Sequence, residues 1–408
     1  MHRRAPARPK LTVATTFPID PARSGGQGRV LGLYGAIAAL GVDVDVVTLG
    51  GSGERSAVIP LRPGLTEIRV GRSAAHHDAE LRLQAELGGV LVTDVALALH
   101  HELTPAYAAA VRASAAGASA VVACHPYAVR VLLDAAPGTP LLYEAQDVES
   151  DLKAAVLGAA PELVEVVRDH EALACREAVH VLACSDEDAR RLGELFGLPA
   201  ERRATVPNGY DPGRVRHTPW DARAAARRSV GLDRFTVLFV GAWHGPNIEA
   251  ARAFLAAMNA LPSVHALLVG SAGLAFDDEA VPANVDVTGA VPDGFLQAVL
   301  SLADVAVNPM VSGSGTNVKM LEYAASGVPL VSSAFGARGL GLVPGEHYAA
   351  AEPADLAAAL QAVRDEPPEA TRRRAERARD HVHPAFGWPA IAQGWLDHDA
   401  VRDLLERT

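Results

Sequence analysis

The feature that most constrains the fold of this chain is an alternation of short β-branched segments with longer segments rich in alanine and leucine. Strands and helices that alternate in this way form parallel β-sheets covered by helices. The predicted strands cover 11–17, 43–49, 119–124, 140–145 and 178–184 in a first series, and 235–241, 264–270, 285–291, 304–309 and 328–333 in a second. The sequence therefore predicts an α/β protein with two doubly wound sheets.

Clusters of turn residues separate the two series and precede the last helix. Pro207-Asn-Gly-Tyr-Asp-Pro212 combines residue types that favour turns, and Pro384-Ala-Phe-Gly-Trp-Pro389 breaks an arginine-rich helix. The last helix needs an apolar surface, and we expect it to cross back to the N-terminal domain, with the two domains facing a cleft. The predicted organisation is a disordered basic tail (1–9), a Rossmann-like N-terminal domain (10–205, with the helix at about 386–408) and a Rossmann-like C-terminal domain (206–385).

Composition and charge narrow the function classes. The 408 residues are 49% apolar and 21% charged, which is typical of a globular enzyme. A net charge of −11 argues against a nucleic-acid partner, because binding to phosphates requires a concentrated basic face. The N-terminal MHRRAPARPK lacks the apolar stretch of a secretory signal, and no transmembrane segment is expected. We expect a cytoplasmic protein whose tail makes at most a weak peripheral contact with anionic membranes.

Cysteine and histidine spacing argues against a metal site. Cys124, Cys175 and Cys184 are isolated within apolar segments, so we expect them to be reduced and buried. His76-His-Asp78 and His100-His-Glu102 contain the right residue types for a metal. Neighbouring side chains of a helix point apart, however, whereas a metal site needs converging ligands. We therefore expect no bound metal.

The segment Ser24-Gly-Gly-Gln-Gly-Arg29 follows the first predicted strand and precedes an apolar helix that starts near Val30. A glycine-rich turn at a helix N-terminus lets backbone N–H groups approach an anion, which predicts a phosphate nearby. The dinucleotide fingerprint does not fit, because Leu31 occupies the place of its third glycine. A plain strand-to-helix turn is the alternative.

The second candidate site lies between the strand 304–309 and a helix that ends at Gly327. Here Met310-Val-Ser-Gly-Ser-Gly-Thr316 forms a loop whose amides are free to bind an anion, and Thr316 is the predicted N-cap of the helix. Lys319 and Glu322 lie three residues apart on one helix face, where one can meet a phosphate and the other a pair of hydroxyls. The alternative is an ordinary surface ion pair between them.

A carboxylate also follows the predicted strand 140–145. Asp147, like Glu149 after it, is expected at the carboxyl end of the strand, where it can act as a base on the acceptor side. Helix capping by Asp147 is the alternative.

Six segments match motifs of one enzyme family in the order in which that family carries them. They are SGGQGRV (24–30), EALACREAVHVLACSDED (171–188), PNGYD (207–211), LFVGAWHGPNIEAARAFL (238–255), NPMVSGSGTNVKMLEYAASGVPLVSS (308–333) and FGARGL (335–340). Together they resemble the retaining nucleotide-sugar glycosyltransferases of the GT-B fold, in particular the family 4 group. The resemblance spans nearly the whole chain.

The resemblance implies roles for individual residues. Glu322 would hold the nucleotide ribose, Lys319 would face the diphosphate, and His125 would lie near the transferred sugar. For His125, a loop histidine with satisfied hydrogen bonds is the alternative. The implied catalytic residues are His125, Lys319 and Glu322. The implied donor-binding residues are Gly26, Gly241, His244, Ala290, Val291, Gly313, Ser314, Gly315, Thr316, Asn317, Lys319 and Glu322.

The sequence departs from the family pattern at Ser314, at Asn317 and at 242–244, and these departures remove charge from the expected site. Ser314 stands where the family has a second glutamate, and Asn317 stands where this branch often has arginine. The sequence 242–244 replaces an Arg/Lys pair that meets the diphosphate in many relatives. The cations that remain near the segment are Lys319 and, as helpers, Arg29 and Arg338.

The resulting hypothesis is a glycosyltransferase without a cofactor, retaining and metal-independent. Its donor would be a nucleotide-diphosphate sugar, and its acceptor would bind to the N-terminal domain. A non-catalytic GT-B binding or accessory protein is the first alternative, and the missing charges favour it. A sugar-nucleotide epimerase is the second, although it would need more acidic and basic residues in the site.

Overall fold

The computed structural model describes residues 8–313 and 315–406, and the chain forms two compact units. Unit 1 contains the residues up to Pro207 together with those from Ile391 onward, and unit 2 contains Asn208–Ala390. The corresponding predicted boundaries are 205/206 and about 386. Residues 1–7 of the predicted tail lie outside the described part of the chain.

Unit 1 is built on an eight-stranded sheet. Its strands are β1 (Lys10–Thr15), β2 (Asp43–Ser52), β3 (Ala57–Arg62), β4 (Leu65–Arg72), β5 (Ala120–Cys124), β6 (Leu141–Ala145), β7 (His180–Ala183) and β8 (Arg203–Thr205). Their order is β3-β4-β2-β1-β5-β6-β7-β8, and all neighbours are parallel except the hairpin β3–β4. Because β1 lies between β2 and β5, the direction of winding reverses between β1 and β5. Ligands of open α/β sheets bind at the carboxyl ends of the strands beside such a reversal.

The helices of unit 1 cover both faces of this sheet, as a parallel sheet requires. They are α1 (Gly25–Ala39), α2 (Ala74–Glu86), α3 (Thr93–His100), α4 (Pro105–Ala115), α5 (Val129–Ala135), α6 (Glu149–Val156), α7 (Pro161–Glu177) and α8 (Asp186–Phe196). Every residue of β5 and β6 is buried, including Glu144. The predicted first series of strands is confirmed within a few residues at each end.

The start of α1 differs from the prediction. The side chain of Ser24 accepts a hydrogen bond from the amide of Gln27, so that Ser24 caps a helix that already begins at Gly25. The predicted glycine-rich turn with a helix start near Val30 is therefore wrong, because these glycines form the first turn of the helix itself.

Unit 2 is built on a six-stranded, all-parallel sheet. Its strands are β9 (Thr236–Val240), β10 (His265–Val269), β11 (Val285–Gly289), β12 (Val305–Asn308), β13 (Leu330–Ser332) and β14 (Ala349–Ala350), in the order β11-β10-β9-β12-β13-β14. The reversal of winding lies between β9 and β12. Its helices are α9 (Trp220–Ser229), α10 (Gly245–Asn259), α11 (Asp293–Leu302), α12 (Val318–Ser326), α13 (Leu356–Asp365) and α14 (Pro368–Val382). Two doubly wound sheets confirm the predicted fold class.

The last two helices connect unit 2 to unit 1. Helix α15 (Trp388–Leu396) contains the division at Ile391, and α16 (Asp399–Glu406) belongs to unit 1. In the short segment between α15 and α16, the ring centroid of His398 lies 4.5 Å from that of His180 in β7. The C-terminal segment therefore returns to the N-terminal domain, as the apolar spacing of its residues predicts.

Two further observations concern the described residues as a whole. None of their helices has the length and apolarity that a membrane crossing requires. Cys124, Cys175 and Cys184 are buried free thiols, and burial raises the pKa of each. This confirms the prediction that they are buried and not paired.

Candidate functional site

The loops that follow β9 and β12 meet at the winding reversal of unit 2. Gly241 directly follows β9, and its carbonyl oxygen lies so close to Gly270 that a Cβ on Gly270 would stand 2.3 Å from it. Gly270 also has a φ of +104°, which side chains rarely tolerate. Both facts require glycine at 270, and they allow the backbone after β10 to pack against the loop that begins at Gly241.

Lys319 is the charged centre of this part of unit 2. It is the second residue of α12, and its Nζ donates a hydrogen bond of 2.7 Å to Oδ1 of Asn247 in the first turn of α10. The same ammonium lies 4.5 Å from the ring centroid of Phe239 and 3.7 Å from Sδ of Met310. Lys319 therefore connects the beginnings of two helices with the end of β9.

Two helix N-termini converge beside Lys319. A Cβ on Gly313 would lie 3.4 Å from Cβ of Pro246, at the start of α10. The hydroxyl of Ser312 donates a hydrogen bond of 2.5 Å to the Glu249 carboxylate on the same helix. The loop before α12 therefore lies against the first turn of α10. Helix N-termini carry unpaired N–H groups and partial positive charge, so this arrangement favours an anion.

The environment of Lys319 lowers its affinity for a proton. Burial reduces the pKa of Lys319 to about 7, and the Glu322 carboxylate opposes this only in part. His244 occupies the N-cap position of α10. Its pKa is lowered as well, mainly by burial and to a smaller extent by the charge of the nearby Lys319. A bound anion would favour the protonated form of both groups.

Glu322 lies one turn further along α12 and is only 9% exposed. Its Oε1 accepts a hydrogen bond of 3.1 Å from Nη1 of Arg214. Lys319 donates to Asn247 and Met310. The two residues thus have different hydrogen-bond partners, which does not fit the alternative of a simple surface pair between them.

The residues between Gly313 and α12 are arranged differently from the prediction in one respect. Asn317 occupies the N-cap position, and the hydroxyl of Thr316 accepts a hydrogen bond of 2.8 Å from Nδ2 of Asn208. The predicted N-cap role of Thr316 is therefore wrong, because its hydroxyl contacts the turn at 207–212. The Nδ2 atom of Asn317 is buried without a partner among the described residues, so a hydrogen-bond donor is available there.

Three donor-side residues adjoin the loop or the edge of the sheet, and a fourth cannot be placed. Gly315 adopts a φ of +58° before α12. Ala290 and Val291 follow β11, which ends at Gly289, two residues earlier than predicted. Ala290 is exposed and Val291 is half-buried. Ser314 lies outside the described residues.

The candidate residues of unit 1 also collect at its winding reversal. Gly26, in the first turn of α1, lies so close to Gln146 that a Cβ would stand 2.8 Å from Oε1 and 3.8 Å from Cζ of Phe17. The Phe17 ring makes an edge-to-face contact with His125, with 5.7 Å between ring centroids. Gly26, Phe17 and His125 therefore line one edge of the sheet.

His125 directly follows β5 and is held by Glu149. It adopts a φ of +65°, a strained value for a residue with a side chain, and its Nδ1 lies 2.5 Å from Oε1 of Glu149. The other carboxylate oxygen accepts a hydrogen bond of 2.5 Å from the Tyr127 hydroxyl. Burial disfavours the imidazolium, but the Glu149 carboxylate more than offsets this and raises the pKa of His125. The hydrogen bond of Nδ1 to Glu149 is what the alternative, a loop histidine with satisfied hydrogen bonds, requires at that nitrogen.

Asp147 lies between β6 and α6 and is half-buried. Helix α6 begins at Glu149 with Val148 at its N-cap position, so Asp147 precedes the cap by one residue. Its charge contributes to the raised pKa of His125. The carboxylate is therefore close enough to His125 to affect it electrostatically.

The two arginines expected as helpers are engaged elsewhere. Arg29 is buried and donates hydrogen bonds to Glu144, at 2.8 Å, and to the carbonyl oxygens of Val206 and Pro207. Arg338 packs on Phe335 with 3.7 Å between its Cζ and the ring centroid, and it donates to the carbonyl oxygen of the same residue. Arg29 therefore stabilises the core of unit 1.

Sequence reasoning missed two neighbours of Lys319, Asn247 and Phe239. Both belong to the segment 238–255, where the motif Pro246-Asn247 was the available signal. In the described part of the chain, no group of three or more His, Cys, Asp or Glu residues is arranged to hold a metal ion.

Comparison with known proteins adds family matches over most of the chain. Residues 24–209 match the family model described as glycosyl transferase 4-like domain, and residues 234–365 match the model described as glycosyl transferases group 1. The first match contains the candidate residues of unit 1, and the second contains those of unit 2.

Curated relatives are similar at a moderate level. A glycogen synthase from Mycobacterium tuberculosis is 29% identical over 253 residues, which are 58% of this chain and 57% of that protein. The match thus spans less than two thirds of that relative. A D-inositol 3-phosphate glycosyltransferase from Geodermatophilus obscurus is 28% identical over 391 residues, which are 88% of this chain and 82% of that protein.

Solved structures show the same fold at low sequence identity. Sucrose-phosphate synthase from Thermosynechococcus elongatus superimposes with a TM-score of 0.77 and 21% identity, covering 98% of this chain and 100% of that one. Anabaena HepE, in complex with UDP-glucose, has a TM-score of 0.69 and 16% identity, with coverage of 98% and 100%. These likenesses establish a GT-B architecture.

Proposed function

The chain belongs to the group 1 glycosyltransferases, and from this premise we propose that it transfers a sugar from a nucleotide-diphosphate donor to an acceptor, without a metal ion. The donor binds to unit 2 and the acceptor to unit 1. Retention of configuration at the anomeric carbon is part of the proposal, and the motif resemblance to the retaining family 4 enzymes supports it.

One observation carries the proposal: the Lys319 ammonium lies where the first turns of α10 and α12 meet, at the winding reversal of unit 2. A diphosphate leaving group carries the charge that such a site favours. A charge-assisted hydrogen bond contributes roughly 1.5–3 kcal/mol, and a helix N-terminus adds roughly 0.3–1 kcal/mol. Lys319 and these amides supply positive charge where many metal-dependent enzymes use a cation.

Glu322 fits the role of a ribose ligand. Its carboxylate lies one turn beyond Lys319 on α12, so a nucleotide whose phosphates contact Lys319 can extend its ribose hydroxyls toward Glu322. Arg214 holds Oε1 of this carboxylate by a hydrogen bond of 3.1 Å. In this assignment the base lies beside the backbone of Ala290 and Val291, with Gly241 and His244 on the phosphate side.

Unit 1 contributes His125 near the transferred sugar. Its imidazole is fixed by Glu149 through Nδ1, which leaves Nε2 as the nitrogen directed to substrate. Asp147 is the acceptor-side carboxylate in this proposal. Gly26 lies beside the donor in this proposal, and its lack of a side chain allows α1 to pack against Gln146.

The experiment is a donor screen with the purified full chain in excess chelator. A panel of UDP-, GDP- and ADP-sugars is incubated with candidate acceptors, and free nucleoside diphosphate is measured. We expect turnover with at least one donor and a loss of about 100-fold or more in Lys319→Ala and Glu322→Ala, because the first removes a charge contact to the leaving diphosphate and the second removes the ribose contact that positions the donor.

The matched control is Glu369→Ala, which removes an exposed carboxylate on α14 of the same unit. It should retain the activity of the wild type. Turnover that disappears in chelator and returns with a divalent cation would overturn metal independence. Full activity in both site variants would overturn the assignment of the donor site.

A further inference from the structure

Unit 1 contains a cavity of about 330 Å³ beside the candidate residue His125. Its lining residues lie at or near the ends of β1, β2 and β4 and at the N-terminus of α3. Phe17 is one of its walls, and the same ring makes an edge-to-face contact with His125. The volume is at the lower end of the range of small-molecule sites, roughly 300–1,000 Å³.

The first charged group of the cavity, Arg72, is already neutralised. Its guanidinium forms an ion pair with Glu80, and its Nε donates a hydrogen bond of 2.9 Å to the carbonyl oxygen of Gly50. Glu80 is itself buried and accepts a hydrogen bond from the Thr93 hydroxyl. Arg72 therefore offers hydrogen-bond donors to a ligand but no net positive charge.

The second charged group, Asp94, is neutralised in the same way. Its Oδ2 lies 2.5 Å from Nζ of Lys153, and its Oδ1 accepts a hydrogen bond of 2.8 Å from the amide of Val95. Asp94 also stands in the first turn of α3, where its charge compensates the positive end of that helix. Neither Lys153 nor the helix terminus is left as an uncompensated positive charge.

The rim of the cavity provides no anion site either. The amide of Gly51 donates a hydrogen bond of 2.7 Å to the Glu54 carboxylate. Among the described residues that line the cavity, Arg72 and Asp94 are the charged ones. The remaining walls include the apolar side chains of Phe17 and Leu91, and Leu91 is 77% exposed.

We propose that this cavity binds the acceptor and that the acceptor is an uncharged polyhydroxylated molecule, a sugar or polyol without phosphate or carboxylate groups. Its hydroxyls pair with the Asp94 carboxylate and the Arg72 guanidinium, while an apolar face of the ring packs on Phe17. A phosphate would have to displace Glu80 or Asp94 from its ion pair, or remain buried without a counter-charge. The inference rests on the proposed glycosyltransferase function.

The test is an acceptor competition with the donor that the screen identifies. Glucose, mannose and inositol are each compared with a monophosphate of the same molecule, and glucose also with glucuronate. The ratio of kcat/KM for each pair is measured by release of nucleoside diphosphate. We expect the uncharged member to be preferred in every pair that is used. Preference for a phosphorylated or carboxylated member, or no use of any uncharged acceptor, overturns the inference.

A charge variant tests the physical reason for this preference. Glu80→Gln keeps the size of the side chain and one acceptor oxygen for Arg72, while its NH2 group can donate to the Thr93 hydroxyl, but it removes the negative charge that compensates Arg72. The ratio of phosphorylated to uncharged acceptor use should then rise about tenfold, which corresponds to roughly one new charge-assisted contact. Glu86→Gln is the control, because it removes an exposed carboxylate from the same helix. An unchanged ratio in Glu80→Gln contradicts the placement of the acceptor in this cavity.

Failure of this inference is distinguishable from failure of the proposed function. Binding of nucleoside diphosphate to the full chain is measured by calorimetry in the absence of any acceptor. If the diphosphate binds and a phosphorylated acceptor is preferred, the proposed donor site is supported and the acceptor inference is contradicted. If no nucleoside diphosphate binds, the proposed function is contradicted. The acceptor inference is then contradicted too, because it depends on that function.

Discussion

At the scale of single residues, Lys319 combines burial with a function that needs its charge. Burial lowers its pKa to about 7, so that near neutral pH about half of the free protein carries a neutral amine. A diphosphate bound next to it would favour the ammonium and raise that pKa. The binding of donor and the binding of a proton should therefore be coupled.

Calorimetry can detect this coupling. At about pH 8, binding of a nucleoside diphosphate should take up roughly one proton, because the amine is mostly neutral before binding and charged afterwards. Titrations in buffers of different ionisation enthalpy measure the uptake. In Lys319→Arg the uptake should vanish, since arginine is charged throughout. Equal proton uptake in the wild type and in Lys319→Arg would contradict the role of Lys319.

His125 and Glu149 form a second pair whose charge depends on pH. Glu149 raises the pKa of His125, and the histidine in turn is the main cause that lowers the pKa of Glu149 against the effect of burial. A histidine pKa that is raised in the folded state adds stability below its unfolded pKa, and this stability is lost as pH rises through the folded pKa.

We therefore expect Glu149→Gln to lower the pKa of His125, as measured by NMR titration of its ring protons. The stability lost in this variant should be larger at about pH 6 than at about pH 9, because only the imidazolium gains from the carboxylate. Glu162→Gln, an exposed position on α7, serves as the control. A stability loss that is independent of pH would show that the ion pair is not formed.

The sequence could indicate those site residues that lie close to one another along the chain. Lys319, Glu322 and the residues 313–317 are contiguous, so the loop-and-helix pattern was enough to single them out. Asn247 and Phe239 contact Lys319 from 72 and 80 positions away, and only the tertiary fold brings them together. Arg29 was misjudged because its partner Glu144 lies on β6, far along the chain from α1.

At the scale of elements, helix α6 depends on a buried carboxylate of α7. Glu171 accepts hydrogen bonds from the amides of Glu149 and Ser150, at 2.9 and 2.8 Å, and from the Tyr143 hydroxyl at 3.0 Å. These are the first N–H groups of α6, which have no partner inside the helix. Glu171 therefore fixes the position of α6, the helix from which Glu149 contacts His125.

Glu171→Ala should lower the free energy of unfolding of unit 1 by about 2–4 kcal/mol, because it leaves buried donors unsatisfied. Glu165→Ala, exposed on the same helix, should change it by less than about 0.5 kcal/mol. Burial raises the pKa of Glu171 to about 7, so this group makes stability fall as pH rises from 4.5 to 7. Urea denaturation across that range should show a flatter profile in Glu171→Ala, and an unchanged profile would contradict this account.

The elements themselves could be predicted where the local pattern agrees with the tertiary environment. The buried strands β5, β6, β9 and β12 are apolar and β-branched, and their positions follow from the sequence. The hairpin β3–β4 was missed because β3 is mostly exposed and contains Pro60 and Arg62. The early start of α1 was missed because glycine disfavours helices, while the Ser24 cap and the packing of Gly26 against Gln146 override that preference.

At the scale of the whole molecule, the C-terminal segment belongs to the stability of unit 1. Trp395, Val401 and Leu405 are buried, although the segment follows all of unit 2 in the chain. Trp395→Ala should lower the free energy of unfolding of unit 1 by about 3 kcal/mol. Hydrogen exchange should accelerate in the strands of unit 1 and stay unchanged in those of unit 2.

The control for this substitution is Trp243→Ala in unit 2, where the side chain is 59% exposed. It should leave exchange in both units nearly unchanged. Faster exchange in unit 2 after Trp395→Ala would contradict the assignment of the last segment to unit 1.

The most direct test of the central claim is the affinity of the full chain for a nucleoside diphosphate and for the nucleoside alone. Lys319→Ala should weaken binding of the diphosphate roughly 10- to 100-fold and leave binding of the nucleoside nearly unchanged. Glu322→Gln should weaken both, and this effect should shrink for analogues that lack ribose hydroxyls. If Lys319→Ala binds the diphosphate as tightly as the wild type does, the donor site is not where α10 and α12 meet.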